Sequence, residues 1–373
     1  MDDIAEISAG DLRSAVAAGV LTEAQASTVK AMAQDRAGKR AAMPAEDEPF
    51  EFFKGFSEIF VSVGLIILMA GVAGLLSLFT GPLILIALPA IVAAIAWWWA
   101  TYFTLKRRMN LPSMVLASAF GLGVFLSALT ILTQADAAPR MILVGAAVAA
   151  MIGMAIWYRK FRLPFAMFIL GLYALTAIYA VTASLSALQG FGNASAAGVS
   201  IGAGLGGGVF DLRNSPQFAL ATLAFGIAAF AAGMWFDTRD PYRLGRHAAT
   251  GFWLHLMAAP ALVNTVALTL FNIGGTAGMA SMAVALTIIA LLALVIDRRS
   301  FLTAGIVYIA LVIAWVIQGN GTGDFGQWVA IILILGGTIT ALGTWWVPLR
   351  ASVMRALPAF PGKTRLPPYA GAT

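Results

Sequence analysis

The sequence predicts an all-α fold: a polytopic transmembrane helical bundle of about ten spans, with the N-terminus and the C-terminus both cytosolic. Three observations predict it. Hydrophobic residues make up 60% of the chain and charged residues 11%, against roughly a quarter charged in an ordinary soluble domain. Continuous apolar runs of about 18 residues or more recur, each long enough to cross roughly 30 Å of hydrocarbon as a helix. They lack the period-two alternation of a membrane β-strand. Finally, the cations gather at the ends of alternate runs.

In chain order the runs place spans at about 59–79, 82–105, 112–133, 139–158, 164–187, 216–236, 248–271, 276–296, 300–317 and 325–347. Lys106, Arg107, Arg108, Arg159, Lys160, Arg162, Arg239, Arg243, Arg246, Arg298, Arg299, Arg350, Arg355, Lys363 and Arg365 all follow even-numbered spans, whereas the opposite side holds only Arg140 and Arg213. The positive-inside rule puts the first group in the cytosol. The net charge of +6 is thus an orientation signal rather than a nucleic-acid footprint, and anionic lipid headgroups are the expected partners of the cationic rim. Trp97, Trp98, Trp99, Trp157, Trp235, Trp345 and Trp346 fall at the same ends, the depth that suits an amphipathic ring.

"RRMNLP" at 107–112 and "RKFRLP" at 159–164 align as a short repeat, each placing a proline in the first turn of the next helix. Such a repeat describes a row of helical hairpins with tight outer turns, "TGP" at 80–82 among them. Any inside turn before a helix has the same look.

The flanks read differently. Residues 1–48 form a cytosolic segment, with helices expected at about 9–18 and 23–41, capping-box patterns at "SAGD" and "TEAQ", and Gly19 ending the first helix. Its few apolar contacts, Leu12, Val16, Val29 and Met32, are too few for an independent core, so it docks on the membrane core, a second copy or a protein partner. Residues 49–58 read as an interfacial amphipathic helix, with Phe52, Phe53, Phe56, Ile59 and Phe60 opposite Glu51, Lys54 and Glu58. The ten-span domain covers 59–347 and includes a glycine-rich external loop at 188–215, and 348–373 is a basic, proline-rich cytosolic tail expected to be a short helix followed by disorder. The acidic start "MDDIAEISAG" has no signal-peptide pattern. Absence of cysteine removes disulfide and thiolate chemistry.

Few motifs carry chemistry. Gly198, Ser200 and Gly202 fit a nucleophile elbow, and Gly202, Gly204 and Gly207 fit a dinucleotide fingerprint, but both lack the strand and helix those sites need. "GKT" at 362–364 lacks the first glycine of a phosphate loop, because Leu357 occupies its place. "NAS" at 193–195 fits a glycosylation acceptor. No catalytic residue, metal site or cofactor is expected, and an enzyme reading has no nucleophile and base to rest on.

The stretch "GFWLHLMAAPALVN" at 251–264 is the exception. His255 falls roughly 10 Å below the cytosolic boundary at 1.5 Å per residue. Pro260 cannot donate to the Leu256 carbonyl and bends the helix. Asn264 points about 180° from His255 on an ideal helix, so the two reach different neighbours. One reading is interhelical hydrogen bonding worth about 1 kcal/mol each. The other is a polar cavity on a pathway, with His255, Asn264, Pro260 and Trp253 as substrate-binding residues. Remaining polar groups are sparse; Glu58 and Asp136 fall at interfaces, and Asp237 with Arg239, and Asp297 with Arg298, read as solvated pairs or helix-end contacts in cytosolic turns.

"DLRSAVAAGVLTEAQAS" at 11–27, "WFDTRDPYRLGRHAATGFWLHLMAAP" at 235–260 and "LVIDRRSFLTAG" at 294–305 resemble a family of uncharacterised bacterial inner-membrane proteins, in which a cytosolic helical hairpin precedes the spans. The resemblance implies a bacterial cytoplasmic-membrane location and carries no activity. A second resemblance, to ten-span drug and metabolite transporters, lies in span count and orientation. Two functions follow as expectations: a carrier or lipid-handling protein with a polar site beside span 7, or a non-transporting sensor or assembly factor that recruits a partner through its N-terminal hairpin.

Overall fold

The computed structural model of the chain describes residues 9–21, 55–79, 81–182, 210–240, 246–299 and 340–367, together with the isolated positions 25, 29, 301, 329, 333, 336, 337 and 369. Every regular element among them is helical. The chain falls into two compact units, Met1–Glu48 and Pro49–Thr373. In the first, α1 (Ala9–Ala17) ends where Gly19 adopts φ +70°. There the Gly19 and Val20 N–H groups donate to the Val16 and Ala15 carbonyls, the paired bonds that close a helix C-terminus on a left-handed residue. The expected second helix, 23–41, lies outside the described residues.

The second unit contains α2 (Phe56–Ser77), α3 (Pro82–Ala100, continued by a π-helical turn at Thr101–Lys106), α4 (Asn110–Gln134), α5 (Pro139–Phe161), α6 (Phe165–Thr182), α7 (Pro216–Asp237), α8 (Arg246–Phe271), α9 (Gly275–Ile296) and α10 (Trp346–Ala356). Seven of them, α2 to α8, are long and apolar enough to cross a membrane, so the protein is a multi-pass membrane protein. α9 coincides with the eighth apolar run. Span 9 apart from Phe301, and nearly half of span 10, lie outside the described residues.

Neighbouring helices pack as antiparallel hairpins: α3 with α4, α4 with α5, α5 with α6, and α7 with α8. Between helices in lipid there is little hydrophobic gain, so association relies on close packing by small residues and on polar contacts. Ala96, Ala100, Ala117, Ala146, Ala147, Ala150 and Ala166 are accordingly fully buried. At Gly123 of α4 an added Cβ would stand 2.6 Å from the Pro89 carbonyl oxygen of α3, so only glycine allows that approach. Trp97, Phe120, Trp157 and Phe161 fill the space beside it with ring centroids 4.4–5.6 Å apart.

Three sequence expectations change. Glu58, expected on the polar face of an interfacial helix, is 4% exposed, and its Oε2 accepts the Asn110 and Leu111 N–H groups at 3.0 and 3.1 Å. It caps α4 from another helix, where a carboxylate meets both orphan donors and the positive end of the helix dipole. Glu58→Ala is expected to cost about 1–2 kcal/mol, as lost caps do, read as a lower thermal midpoint of the purified protein, with Glu58→Gln losing less.

The proposed repeat fails in register. Left-handed residues end both helices, but at Arg108 (φ 52°) and Arg162 (φ 54°), the second and fourth positions of the two motifs. Pro112 therefore lies inside α4 while Pro164 precedes α6. The tail expected to be disordered is folded as far as residue 367. After α10 the Lys363–Arg365 turn follows, Lys363 Nζ donates to the Met354 and Leu357 carbonyls at 2.7 Å, and Leu366 and Pro367 are buried.

Candidate functional site

α7 and α8 form an antiparallel hairpin in which two polar residues each follow a glycine by one turn: Gly233 then Asp237, and Gly251 then His255. The pairing is crossed. A Cβ on Gly233 would lie 2.9 Å from His255 Nε2, and one on Gly251 would run into Asp237 Oδ1 and stand 3.2 Å from Arg298 Nη2. The missing side chains make room for the polar groups between the helices.

Arg298 arrives from α9. Asp297 takes the left-handed conformation (φ 57°), and the Asp297 and Arg298 N–H groups close onto the Leu294 and Ala293 carbonyls. This reversal turns Arg298 back into the bundle. Its Nε donates to Asp237 Oδ2 at 2.9 Å, and its Nη2 donates both to Asp237 Oδ1 and, at 2.9 Å, to the Ala248 carbonyl. His255 Nε2 lies 2.9 Å from Asp237 Oδ2. A carboxylate can only accept, so the histidine carries its proton on Nε2. Asp237, His255 and Arg298 are 7%, 0% and 1% exposed, and the Phe230 and Phe301 rings flank the imidazole at 5.3 and 6.1 Å.

This overturns the expectation of solvated turn pairs at Asp237 with Arg239 and at Asp297 with Arg298. Asp237 pairs with Arg298 across 61 residues. Arg239 instead lies over the Trp235 ring at 3.5 Å. Asp297 Oδ1 accepts Trp346 Nε1–H at 2.7 Å and lies 3.6 Å from Arg350 Nε. Arg350 donates in turn to the carbonyls of Leu294 at 3.2 Å and Pro367 at 2.6 Å. A continuous buried polar layer thus ties α7, α8, α9, α10 and the C-terminal segment together.

The opposite end of the hairpin has its own clasp. Asp211, 1% exposed, accepts the Arg213 N–H at Oδ1, and Asn214 Nδ2–H and Asn272 Nδ2–H at Oδ2, each at 2.9 Å. Leu212 N–H donates to Thr269 Oγ1 at 3.0 Å. The chain entering α7 is thereby fixed to the end of α8. The rest of the glycine-rich loop, with its motif matches, lies outside the described residues.

Of the four sequence-predicted site residues, His255 belongs to the cluster and Trp253 does not. Two residues apart on a helix, they project about 200° apart. Trp253 packs against Phe165 and Phe168, at 4.7 and 5.3 Å between centroids, and lines an open apolar groove of about 530 Å³ with Met69, Leu111, Met114, Ser118 and Phe165. Pro260 and Asn264 are half-buried farther along α8, and no hydrogen bond among the described residues joins Asn264 to the cluster. Sequence reasoning missed Asp237 and Arg298 as members. The signal available was the glycine one turn before both Asp237 and His255.

Among the described residues no three His, Cys, Asp or Glu side chains converge as a metal site requires. The cluster holds a carboxylate, an imidazole and a guanidinium in mutual hydrogen bonds, which suits it to fixing helices and keeping charge out of lipid. Comparison of the chain with protein-family models, with curated proteins and with solved structures gives no match.

Proposed function

We propose that the protein is a lipid-handling protein of the bacterial cytoplasmic membrane, with ten spans and both termini in the cytosol, that receives an acyl chain in the groove between α2, α4, α6 and α8. The supporting observation is the groove itself. Its volume of about 530 Å³ falls within the roughly 300–1,000 Å³ of small-ligand sites, and its lining is almost wholly apolar. A carrier of polar solutes needs hydrophilic walls instead. In this reading Trp253 touches the chain, while His255 acts from the other side of α8, through the cluster that holds the helix in place.

Labelling with a photoactivatable fatty-acyl phospholipid tests the proposal. Adduct is expected on the peptides carrying Trp253 and Leu111–Ala119, in excess of that on Leu85 and Ile156, which are exposed on α3 and α5. Ala119→Trp, which fills the groove, removes the excess. Equal labelling of all lipid-facing helices, unchanged by Ala119→Trp, would overturn it.

A further inference from the structure

We infer that the groove is the chain half of a site for an anionic phospholipid, whose phosphate is held by Arg108 and Arg162. This rests on the lipid-handling reading and names the class of lipid.

The groove is asymmetric in its surroundings. One end is marked by Leu111 and Phe165, each three residues after a left-handed arginine, Arg108 and Arg162. These arginines sit at the turns between α3 and α4 and between α5 and α6, and both are exposed. From Leu111 to Ser118 the lining runs seven residues along α4, about 10 Å. That is about two-thirds of one leaflet of a hydrocarbon layer of roughly 30 Å. A chain seated there would place its headgroup at the arginines.

Charge complementarity favours a phosphate. Lys106, Arg107, Arg159 and Lys160 are also exposed around these turns, and no ion pair to a carboxylate is found for any of the six among the described residues. The nearby acid, Glu58, is turned inward and committed to the Asn110 and Leu111 N–H groups, so it does not neutralise them. Arg107 is engaged by the Tyr102 hydroxyl at 3.0 Å and its ring at 5.7 Å. Arg108 and Arg162 stand exposed three residues before the groove-lining Leu111 and Phe165. A guanidinium offers paired N–H donors to phosphate oxygens, which a zwitterionic headgroup partly cancels with its own cation.

Native mass spectrometry of the full-length protein from micelles with equal dioleoyl phosphatidylglycerol and dioleoyl phosphatidylcholine tests this. Retention of one phosphatidylglycerol in preference to phosphatidylcholine is expected. Arg108→Asn with Arg162→Asn keeps side chains that tolerate the left-handed backbone. At about five-fold per cation near a membrane surface, the pair should lower the preference about twenty-five-fold. Arg140→Asn with Arg213→Asn, at the predicted opposite side, should leave it unchanged, and an unaltered thermal midpoint shows that the double variant folds. If the Arg108 and Arg162 pair leaves the preference intact, this inference fails. Should Ala119→Trp then still remove bound lipid of both kinds, the lipid-handling reading stands; if Ala119→Trp also has no effect, both fail.

Discussion

Replacing Asp237 by Ala is expected to destabilise the protein by about 3–5 kcal/mol, the usual consequence of stripping the partner from a buried charge. The carboxylate accepts from Arg298 Nε, Arg298 Nη2 and His255 Nε2 at once. Without it a guanidinium 1% exposed loses the carboxylate that two of its nitrogens engage, while its donation to the Ala248 carbonyl remains. Asp237→Asn keeps the shape yet removes the same negative charge from beside Arg298, so it should recover only part of the loss. Asp237→Leu combined with Arg298→Met should recover more than either single change, because an ion pair replaced whole by apolar side chains costs far less than one half-removed. Thermal unfolding in detergent reads all five variants. An Asp237→Ala midpoint equal to that of the parent would mean that water reaches the pair.

Gly251→Val is expected to have the next largest effect. Even one carbon at this position overlaps Asp237 Oδ1 and crowds Arg298 Nη2, and overpacking alone costs about 1–3 kcal/mol. Here the group pushed aside is also the hub of the polar cluster, so the loss should approach that of Asp237→Ala. The comparison variants are Gly64→Ala and Gly71→Ala on α2, where an added Cβ meets nothing within 4 Å. Those should be neutral or stabilising by about 0.5–1 kcal/mol, the helical preference of alanine over glycine. A Gly251→Val protein as stable as Gly64→Ala would show that the two helices separate freely at this level.

The helices were legible because their signal is long and redundant. Expected limits of 216–236 and 248–271 meet α7 at Pro216–Asp237 and α8 at Arg246–Phe271, since a run of some twenty apolar residues tolerates errors at either edge. The cluster was legible only in its histidine. Asp237 stands two residues before Arg239, and Asp297 is next to Arg298, so nearness along the chain offered each acid a ready local partner. The fold exchanges those partners, because the left-handed turn at Asp297 swings Arg298 toward α7 and leaves Asp297 facing α10. A single dihedral angle decides that exchange, and apolar periodicity does not encode it. Glu58 was misplaced for a similar reason: helical-wheel geometry describes one helix in isolation, whereas the group it satisfies is the start of α4, 52 residues away.

The distance along the chain between Asp237 and Arg298 has a bearing on how the protein is made. Ribosomes add roughly 5–20 residues per second, so the arginine is synthesised about 3–12 s after the aspartate. During that interval α8 can supply its imidazole, and the cationic partner does not yet exist. The full set of contacts to Asp237 therefore cannot close until the segment following α9 has been made, and chains truncated before residue 298 should be preferred substrates for membrane quality-control proteases.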